Sequence, residues 1–355
     1  MSLSEATLKF VKSRGDGISL SKASDRVNIK HIPTGIFALD LALMGGIPEN
    51  FITLIYGQQS KGKTLLAYKA VAGAQKKYPD KVVVWVDSEG TMKPNATWAE
   101  INGVDLDNMY VYEPSSGEDA VDAAVAFQHD ENVSLVVFDS IPALVSVKRE
   151  ENSVEDQVMT EFAKLVQPLM QKSNAALLDA RKLKQSRSLI VINQWRMKAG
   201  FVMGDNRVLP GGQSQHFFSS LKLEVYNKEI LGKTLRGLEV VDHNEHSFKI
   251  EKYKVSNTIK TGEFTLCRNP DGELPVGTID DFDTVANTAQ KFGLLTGAGQ
   301  SWKYFSAIDG EEKVFKSKKE VVSFLRENSE EYDAMKLYLI SCFRKDLGLS
   351  EKDWY

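Results

Sequence analysis

Five short apolar runs, at residues 52–56, 82–86, 135–138, 189–192 and 221–225, punctuate the first two thirds of the chain. Amphipathic stretches at 65–77, 119–128 and 161–172 lie between several of them, with apolar residues at helical spacing. Nearly continuous apolar strands separated by helices predict a mostly parallel sheet covered on both faces. Runs at 248–254 and 262–267 read as later strands with antiparallel pairing. After Asn269-Pro270-Asp271-Gly272 the texture changes. Helical patterns at 282–292, 318–328 and 332–343 surround a short strand at 302–307, which predicts a small α+β domain. The first 30 residues are polar. Leu8, Phe10 and Val11 give one helix an apolar edge, and Gly15-Asp16-Gly17 breaks it. So few apolar residues make no core, so this segment docks either on its own core or on a neighbouring subunit. The expected division is an N-terminal oligomerisation segment at 1–30, a core at 31–270 and a C-terminal domain at 271–355.

Composition narrows the class. No run approaches the ~18 consecutive apolar residues of a membrane span. The start, Met1-Ser2-Leu3-Ser4-Glu5, lacks the basic-then-apolar layout of a secretory signal. Cys267 and Cys342 are far apart, and His243 and His246 have no cysteine partners, so no zinc pattern is present. These features predict a cytoplasmic protein without a structural metal or a membrane. The formal net charge is −4, so the chain as a whole carries no basic footprint for nucleic acid. Any such partner must be held by a local cluster.

One segment carries specific chemistry. Gly57-Gln58-Gln59-Ser60-Lys61-Gly62-Lys63-Thr64 fits G-x-x-x-x-G-K-[ST], after an apolar strand and before a helix. Glycines let the backbone N–H groups curl toward phosphate oxygens, and the helix N-terminus adds positive potential. Lys63 reaches the β- and γ-phosphates of a nucleotide in such a loop, and the Thr64 hydroxyl ligates Mg²⁺. The run 135–138 ends in Asp139, at the end of a strand that faces the ligand crevice of an open parallel sheet. Asp139 there can hold the Mg²⁺ shell. The run 82–86 leads into Asp87-Ser88-Glu89-Gly90, where Glu89 is either a general base for the attacking water or a solvent-facing acid.

With these motifs stand His31-Ile32-Pro33-Thr34-Gly35-Ile36-Phe37-Ala38-Leu39-Asp40, Gly45-Gly46-Ile47-Pro48, Trp98 to Asp105, and Ile192-Asn193-Gln194-Trp195-Arg196-Met197-Lys198-Ala199-Gly200 leading to Gly211-Gly212. Together they resemble the RecA recombinase family over about residues 31–347. The resemblance implies an α/β fold: a RecA-like P-loop ATPase core with a mostly parallel central sheet flanked by helices, a short N-terminal polymerisation segment and a small α+β C-terminal domain. It implies that Glu89 is the catalytic glutamate and that Trp98 stacks on adenine, although a structural tryptophan is the other reading. Gln194 would sense the γ-phosphate and pass its presence into a second DNA-binding loop at about 195–213. That loop contains Arg196, Met197, Lys198, Gly200, Met203, Arg207, Gly211 and Gly212. A loop of this length inside a compact core is usually functional or disordered. A first DNA loop would span about 147–160, with Met159 inserting into the DNA stack and Lys164 and Lys172 near phosphates. Lys252 and Lys254, on one face of a strand, match lysines that reach the next subunit's ATP; a solvated strand is the plainer alternative.

Several positions depart from the family pattern. Glu150, Glu151, Glu155 and Asp156 make the first loop acidic, Gln171 replaces an arginine, and His216 stands where the family has a lysine. The chain stops at Trp354-Tyr355 without an acidic tail, and this divergence resembles viral members, which points to a phage origin. The resemblance implies an ATP- and Mg²⁺-dependent recombinase that polymerises on single-stranded DNA as a helical filament. It would pair that strand with homologous double-stranded DNA, in recombination and repair, with DNA-stimulated ATP hydrolysis. A single-strand-binding protein or mediator would be a further partner. The rival readings are a RecA-fold hexameric helicase, a non-enzymatic DNA-binding module and a small-molecule kinase.

Overall fold

A computed structural model describes residues 3–13, 20, 29–144, 158–197, 207–255 and 259–348. After a short pair, β1 (His31–Ile32) and β2 (Ile47–Pro48), the chain enters β3 (Ile52–Gly57), β4 (Val82–Asp87), β5 (Met109–Tyr112), β6 (Val133–Asp139) and β7 (Leu189–Gln194). Two short strands, β8 (Arg196–Met197) and β9 (Arg207–Val208), pair with one another. The chain continues through β10 (Leu221–Lys233), β11 (Glu239–Tyr253), β12 (Thr261–Cys267) and β13 (Ile279–Asp280). Nine of these strands form one sheet, in the order β13-β12-β11-β10-β3-β7-β6-β4-β5. The half from β10 to β5 is parallel, whereas β11, β12 and β13 add antiparallel strands at the other edge.

All five apolar runs are strands, and all but β10 lie buried almost throughout. Alternation sorts their side chains between two cores. Ile55, Leu135, Val137 and Ile192 face one layer, which holds the helices Phe37–Ala42 and Lys63–Lys77. Leu54, Tyr56, Val136, Phe138 and Val191 face the other, covered by Gly117–Phe127 and Val158–Lys182. Each such residue, when fully buried, contributes about 1.5–3 kcal/mol.

Three parts of the fold, one helix, one hairpin and the large sheet, run further than the sequence pattern suggests. The helix expected over 161–172 extends from Val158 to Lys182 with Pro168 inside it. β10 and β11 continue far past their apolar segments as a long hairpin whose outer half is largely exposed. The large sheet reaches Asp280 because Ile279 and Asp280 pair with β12, ten residues past the expected boundary at 270.

The C-terminal portion has its own core. The helices Phe282–Lys291, Lys318–Glu327 and Ser329–Asp346 surround a sheet of β14 (Leu295–Ala298), β15 (Ser301–Phe305) and β16 (Glu312–Phe315). Only β15 was expected. β14 and β16 are mostly exposed, so they lack the apolar signature of a strand. Phe37, from the lead-in to the nucleotide loop, is buried in this C-terminal core. The Asp281 carboxylate accepts from the Phe37 N–H at 2.8 Å. The helix Glu5–Lys12 forms with Ser4 as its cap but buries none of its residues. Gly15, Asp16 and Gly17 lie outside the described residues.

Candidate active site

The carboxyl ends of β3, β7, β6 and β4 bring three sequence-predicted groups, and Asp87 beside them, to one end of the strands. Gly57 closes β3 beside Gln194 of β7, and Asp139 closes β6 beside Asp87 of β4. The loop after Gly57 holds Ser60 at φ 58° and Gly62 at φ 89°, left-handed conformations that curl it around a central space. The Lys63 ammonium donates to the Gln58 carbonyl at 2.6 Å, and Lys61 donates to the Asn227 carbonyl at 2.9 Å. Gln58, Gln59 and Ser60 are exposed, whereas Lys63 is buried at the first turn of the helix Lys63–Lys77, next to Thr64.

Gly62 has a neighbour that sequence reasoning missed. A Cβ added there would lie 2.5 Å from Cε1 of His246 on β11. The His246 ring stacks on Phe264 with centroids 4.8 Å apart, and burial followed by the Arg268 charge lowers its pKa to about 4. Arg268 also covers Trp98, its guanidinium carbon 4.7 Å from the indole centroid. Trp98 is half-buried and packs on the core, so its ring is held in place beneath Arg268.

Burial pushes the Asp139 carboxyl up to about 7, helped by the charges of Glu89 and Asp87 and opposed by Lys63 and the Thr64 hydroxyl. Burial pushes the Lys63 amine down, against Asp139 and Glu89. Glu89 is exposed and accepts a hydrogen bond from the Ser140 hydroxyl. One Asp87 oxygen accepts from the Met92 N–H at 2.7 Å; the other is buried with no hydrogen-bond partner. Two carboxylates, Asp139 and Glu89, thus face one buried ammonium, with Asp87 beside Asp139. An orphaned oxygen on Asp87 and a carboxyl whose pKa is raised by burial and by neighbouring acids both fit a further cation beside Thr64 and Asp139. Among the described residues no three His, Cys, Asp or Glu side chains form a ligand set. Such a cation would therefore take most of its ligands from water and phosphate.

The second loop leaves from Gln194. The Trp195 N–H donates to the Gly57 carbonyl at 3.2 Å, and β8 and β9 zip the two stems of the loop together. The Asn193 amide donates to the Pro210 carbonyl at 2.9 Å and to Gln215 at 2.7 Å, which fixes the far stem. Gly211 and Gly212 have φ of 102° and 73° and lie against the helix Val158–Lys182. A Cβ at Gly211 would press to 2.9 Å of Val166, so glycine is required for this close approach. These glycines border an open groove of about 420 Å³ with Gln167, Gln171, Gln213 and Phe217.

The remaining DNA candidates divide. Lys164 is exposed, and Met159 falls in the first turn of the same helix. Lys172 pairs instead with Asp122 of the adjacent helix at 3.2 Å, and its neighbour Gln171 faces the groove. Met197 is 64% exposed, which suits a side chain that meets a partner. The Arg196 guanidinium lies over Phe162 at 5.2 Å. Arg207 turns inward, over Trp195 at 5.1 Å and toward the buried Glu224 at 3.5 Å. Lys198, Gly200 and Met203 lie outside the described residues, as do Glu150, Glu151, Glu155 and Asp156.

Lys252 lies on β11, but β11 ends at Tyr253, so Lys254 follows the strand instead of lying on it. The Lys252 ammonium donates to the carbonyls of His216 and Phe217 at 2.6 and 3.1 Å, and Lys254 is exposed. Phe217 beside them is 71% exposed. In the C-terminal portion Lys313 pairs with Glu331 and Lys318 with Asn287 and Gln290.

The model of the RecA N-terminal domain family matches residues 2–270. Protein RecA of Aquifex pyrophilus is 32% identical over 329 residues, covering 92% of this chain and 87% of its own length. Protein RecA of Symbiobacterium thermophilum is 34% identical over 288 residues, 81% of this chain and 78% of its own length. Protein RecA of Francisella philomiragia is 31% identical over 343 residues, 95% and 88% of the two chains.

Proposed function

The chain belongs to the RecA family, and on that premise we propose that it is an ATP-driven DNA recombinase whose nucleotide loop controls its grip on DNA. It assembles on single-stranded DNA as a filament and exchanges that strand with a homologous duplex, in recombination and repair, while hydrolysing ATP. One observation carries the control: Gly57 and Gln194 end adjacent parallel strands, and the Trp195 N–H is bonded to the Gly57 carbonyl. The loop that takes the triphosphate and the loop that takes DNA therefore share a hinge.

ATP is the substrate. The backbone of Gly57 to Thr64 and the Lys63 ammonium bind its phosphates, and Trp98 offers a face to the base. Thr64 and Asp139 would hold Mg²⁺, which when bound adds positive charge against the phosphate oxygens. Lys63 is buried and so gives up little hydration when it binds phosphate. Glu89, exposed and held by the Ser140 hydroxyl, is placed to take the proton of an attacking water. Gln194 is positioned to sense the γ-phosphate, and its loss on hydrolysis would loosen the second loop. The glycine amides at 211 and 212, with the exposed Arg196 and Met197, would hold the DNA backbone and leave the bases free for pairing.

Lys252 and Lys254 would act across a protomer junction. Two lysines next to an exposed Phe217 suit a contact that is incomplete in one chain. A heterologous junction of this kind propagates as a helix, and the matched relatives are RecA proteins, which favours a filament over a helicase ring. The C-terminal portion is proposed to guide duplex DNA, and a single-strand-binding protein or mediator to act as a loading partner.

Strand exchange between a circular single strand and its linear duplex tests the assignment. Wild-type protein should form exchanged product only with ATP. Lys63→Ala should form none, whereas an ATP-independent reaction of the wild type would refute the mechanism.

A further inference from the structure

Resting on that reading, we infer that Glu224 is a positioning residue that locks both stems of the second DNA loop to the nucleotide loop, with Trp195 as the bridge. Glu224 lies on β10, in register with Tyr56 of β3, one residue before the nucleotide loop begins. Alternation on β10 sends Leu221, Leu223 and Val225 into one core and turns Lys222, Glu224 and Tyr226 to the opposite face. A carboxylate buried there needs compensating donors. It finds them on the loop stems. The Trp195 indole N–H donates to Glu224 Oε1 at 2.9 Å, and the Arg207 guanidinium lies 3.5 Å from the same oxygen.

Trp195 belongs to the stem that leaves β7, and Arg207 to the stem that returns through β9. One carboxylate oxygen therefore ties the two ends together, and Arg207 closes over the face of the Trp195 ring at 5.1 Å. The same indole meets the Tyr56 ring edge-on, with centroids 5.2 Å apart, while the Trp195 backbone N–H holds the Gly57 carbonyl. Behind Tyr56 lies the ammonium of Lys222, 5.4 Å from the ring centroid and paired with Glu251. The Glu224 carboxylate itself needs to touch neither nucleotide nor DNA. Its effect is mechanical: a shift of the nucleotide loop at Gly57 displaces Trp195, and Glu224 makes Arg207 and the returning stem follow.

If so, loosening Glu224 should separate two activities that the intact protein links. ATP turnover would be measured for wild type, Glu224→Gln and Trp195→Phe, with and without single-stranded DNA. Glu224→Gln keeps an acceptor for the indole but loses the charge that holds Arg207. Trp195→Phe keeps an aromatic ring against Tyr56 but loses the N–H. For Glu224→Gln the DNA-free rate and the KM for ATP should match wild type, and in both variants stimulation by DNA should fall about tenfold, within the usual range for coupled sites. The fluorescence of Trp195, taken as wild type minus Trp195→Phe, should change when a non-hydrolysable ATP analogue is added without DNA. Glu224→Gln should abolish most of that change. Stimulation retained at the wild-type level in either variant overturns the inference. So does an equal fall of the rates with and without DNA, which would mark Glu224 as a residue of general stability only. Absence of stimulation in the wild type would instead refute the recombinase reading on which the inference rests.

Discussion

Replacing Gly62 by alanine tests the construction of the nucleotide loop in the protein without nucleotide. The residue sits at φ 89°, and its new Cβ would lie 2.5 Å from Cε1 of His246. A left-handed conformation costs an L-residue roughly 1–2 kcal/mol. The contact is about 1 Å inside ordinary carbon–carbon separation, and the His246 ring has little room to retreat because it is stacked on Phe264. Forcing an extra methyl group into such packing costs about 1–3 kcal/mol. Gly62→Ala should therefore destabilise the protein by about 2–5 kcal/mol, the sum of the two contributions. A double-mutant cycle with His246→Ala separates them. Once the ring is gone only the backbone contribution should remain, so Gly62→Ala should cost about 1–3 kcal/mol less in the His246→Ala background. Urea unfolding of the nucleotide-free proteins, followed by far-ultraviolet circular dichroism, provides the four stabilities. Costs that agree in the two backgrounds to within about 0.5 kcal/mol would show that His246 does not confine the loop.

Glu89→Gln should bind ATP and single-stranded DNA normally but turn over at least ~100-fold more slowly, as expected for loss of a general base; steady-state phosphate release at the wild-type rate would remove Glu89 from its role. His31 is buried against Tyr253, and burial followed by the charges of Arg344 and Lys77 lowers its pKa from 6.5 to about 3. The unfolded chain therefore binds the extra proton first, so stability should fall as pH drops below 6.5 and continue to fall until about 3. Full loss over that window is about 4–5 kcal/mol, and His31→Gln should flatten the fall in melting temperature between pH 6 and 4. Phe37→Ala should cost about 3–5 kcal/mol through the cavity it leaves. Because Phe37 lies in the C-terminal core, limited proteolysis should then cut most quickly in the C-terminal portion.

The placement of groups that reside in a contiguous segment was legible from the sequence. Gly57 to Thr64 declares itself because the turn, the lysine and the hydroxyl are all local, and Asp139 and Glu89 follow from apolar runs that end in acids. The parallel half of the sheet was readable for the same reason, since both its faces are covered and its strands are apolar throughout. Other features depend on contacts between distant residues. Phe37 looks like part of a helix beside the nucleotide loop, yet it packs among residues about 250 positions later. β14 and β16 are exposed and carry little periodic signal. Arg207 reads as a DNA-binding cation because it stands in a glycine-rich loop, and only the fold reveals that Glu224 receives it. Lys222 and Glu224 look like the solvent face of an alternating strand until Tyr56 and Glu251 are seen beside Lys222, and Trp195 and Arg207 beside Glu224. His246 gives no local sign of its place behind Gly62.

The order of strands has a consequence for how such a protein can diversify. The nucleotide loop and the loop proposed to hold DNA spring from neighbouring strands, β3 and β7, only ~4.8 Å apart. Their bases are thus joined through the β3–β7 ladder and the hydrogen bond from the Trp195 N–H to the Gly57 carbonyl, whatever the length or composition of the spans beyond. Insertions and charge changes in those spans can retune reach and substrate preference at little cost to signalling, whereas the few residues at the roots have almost no freedom to drift.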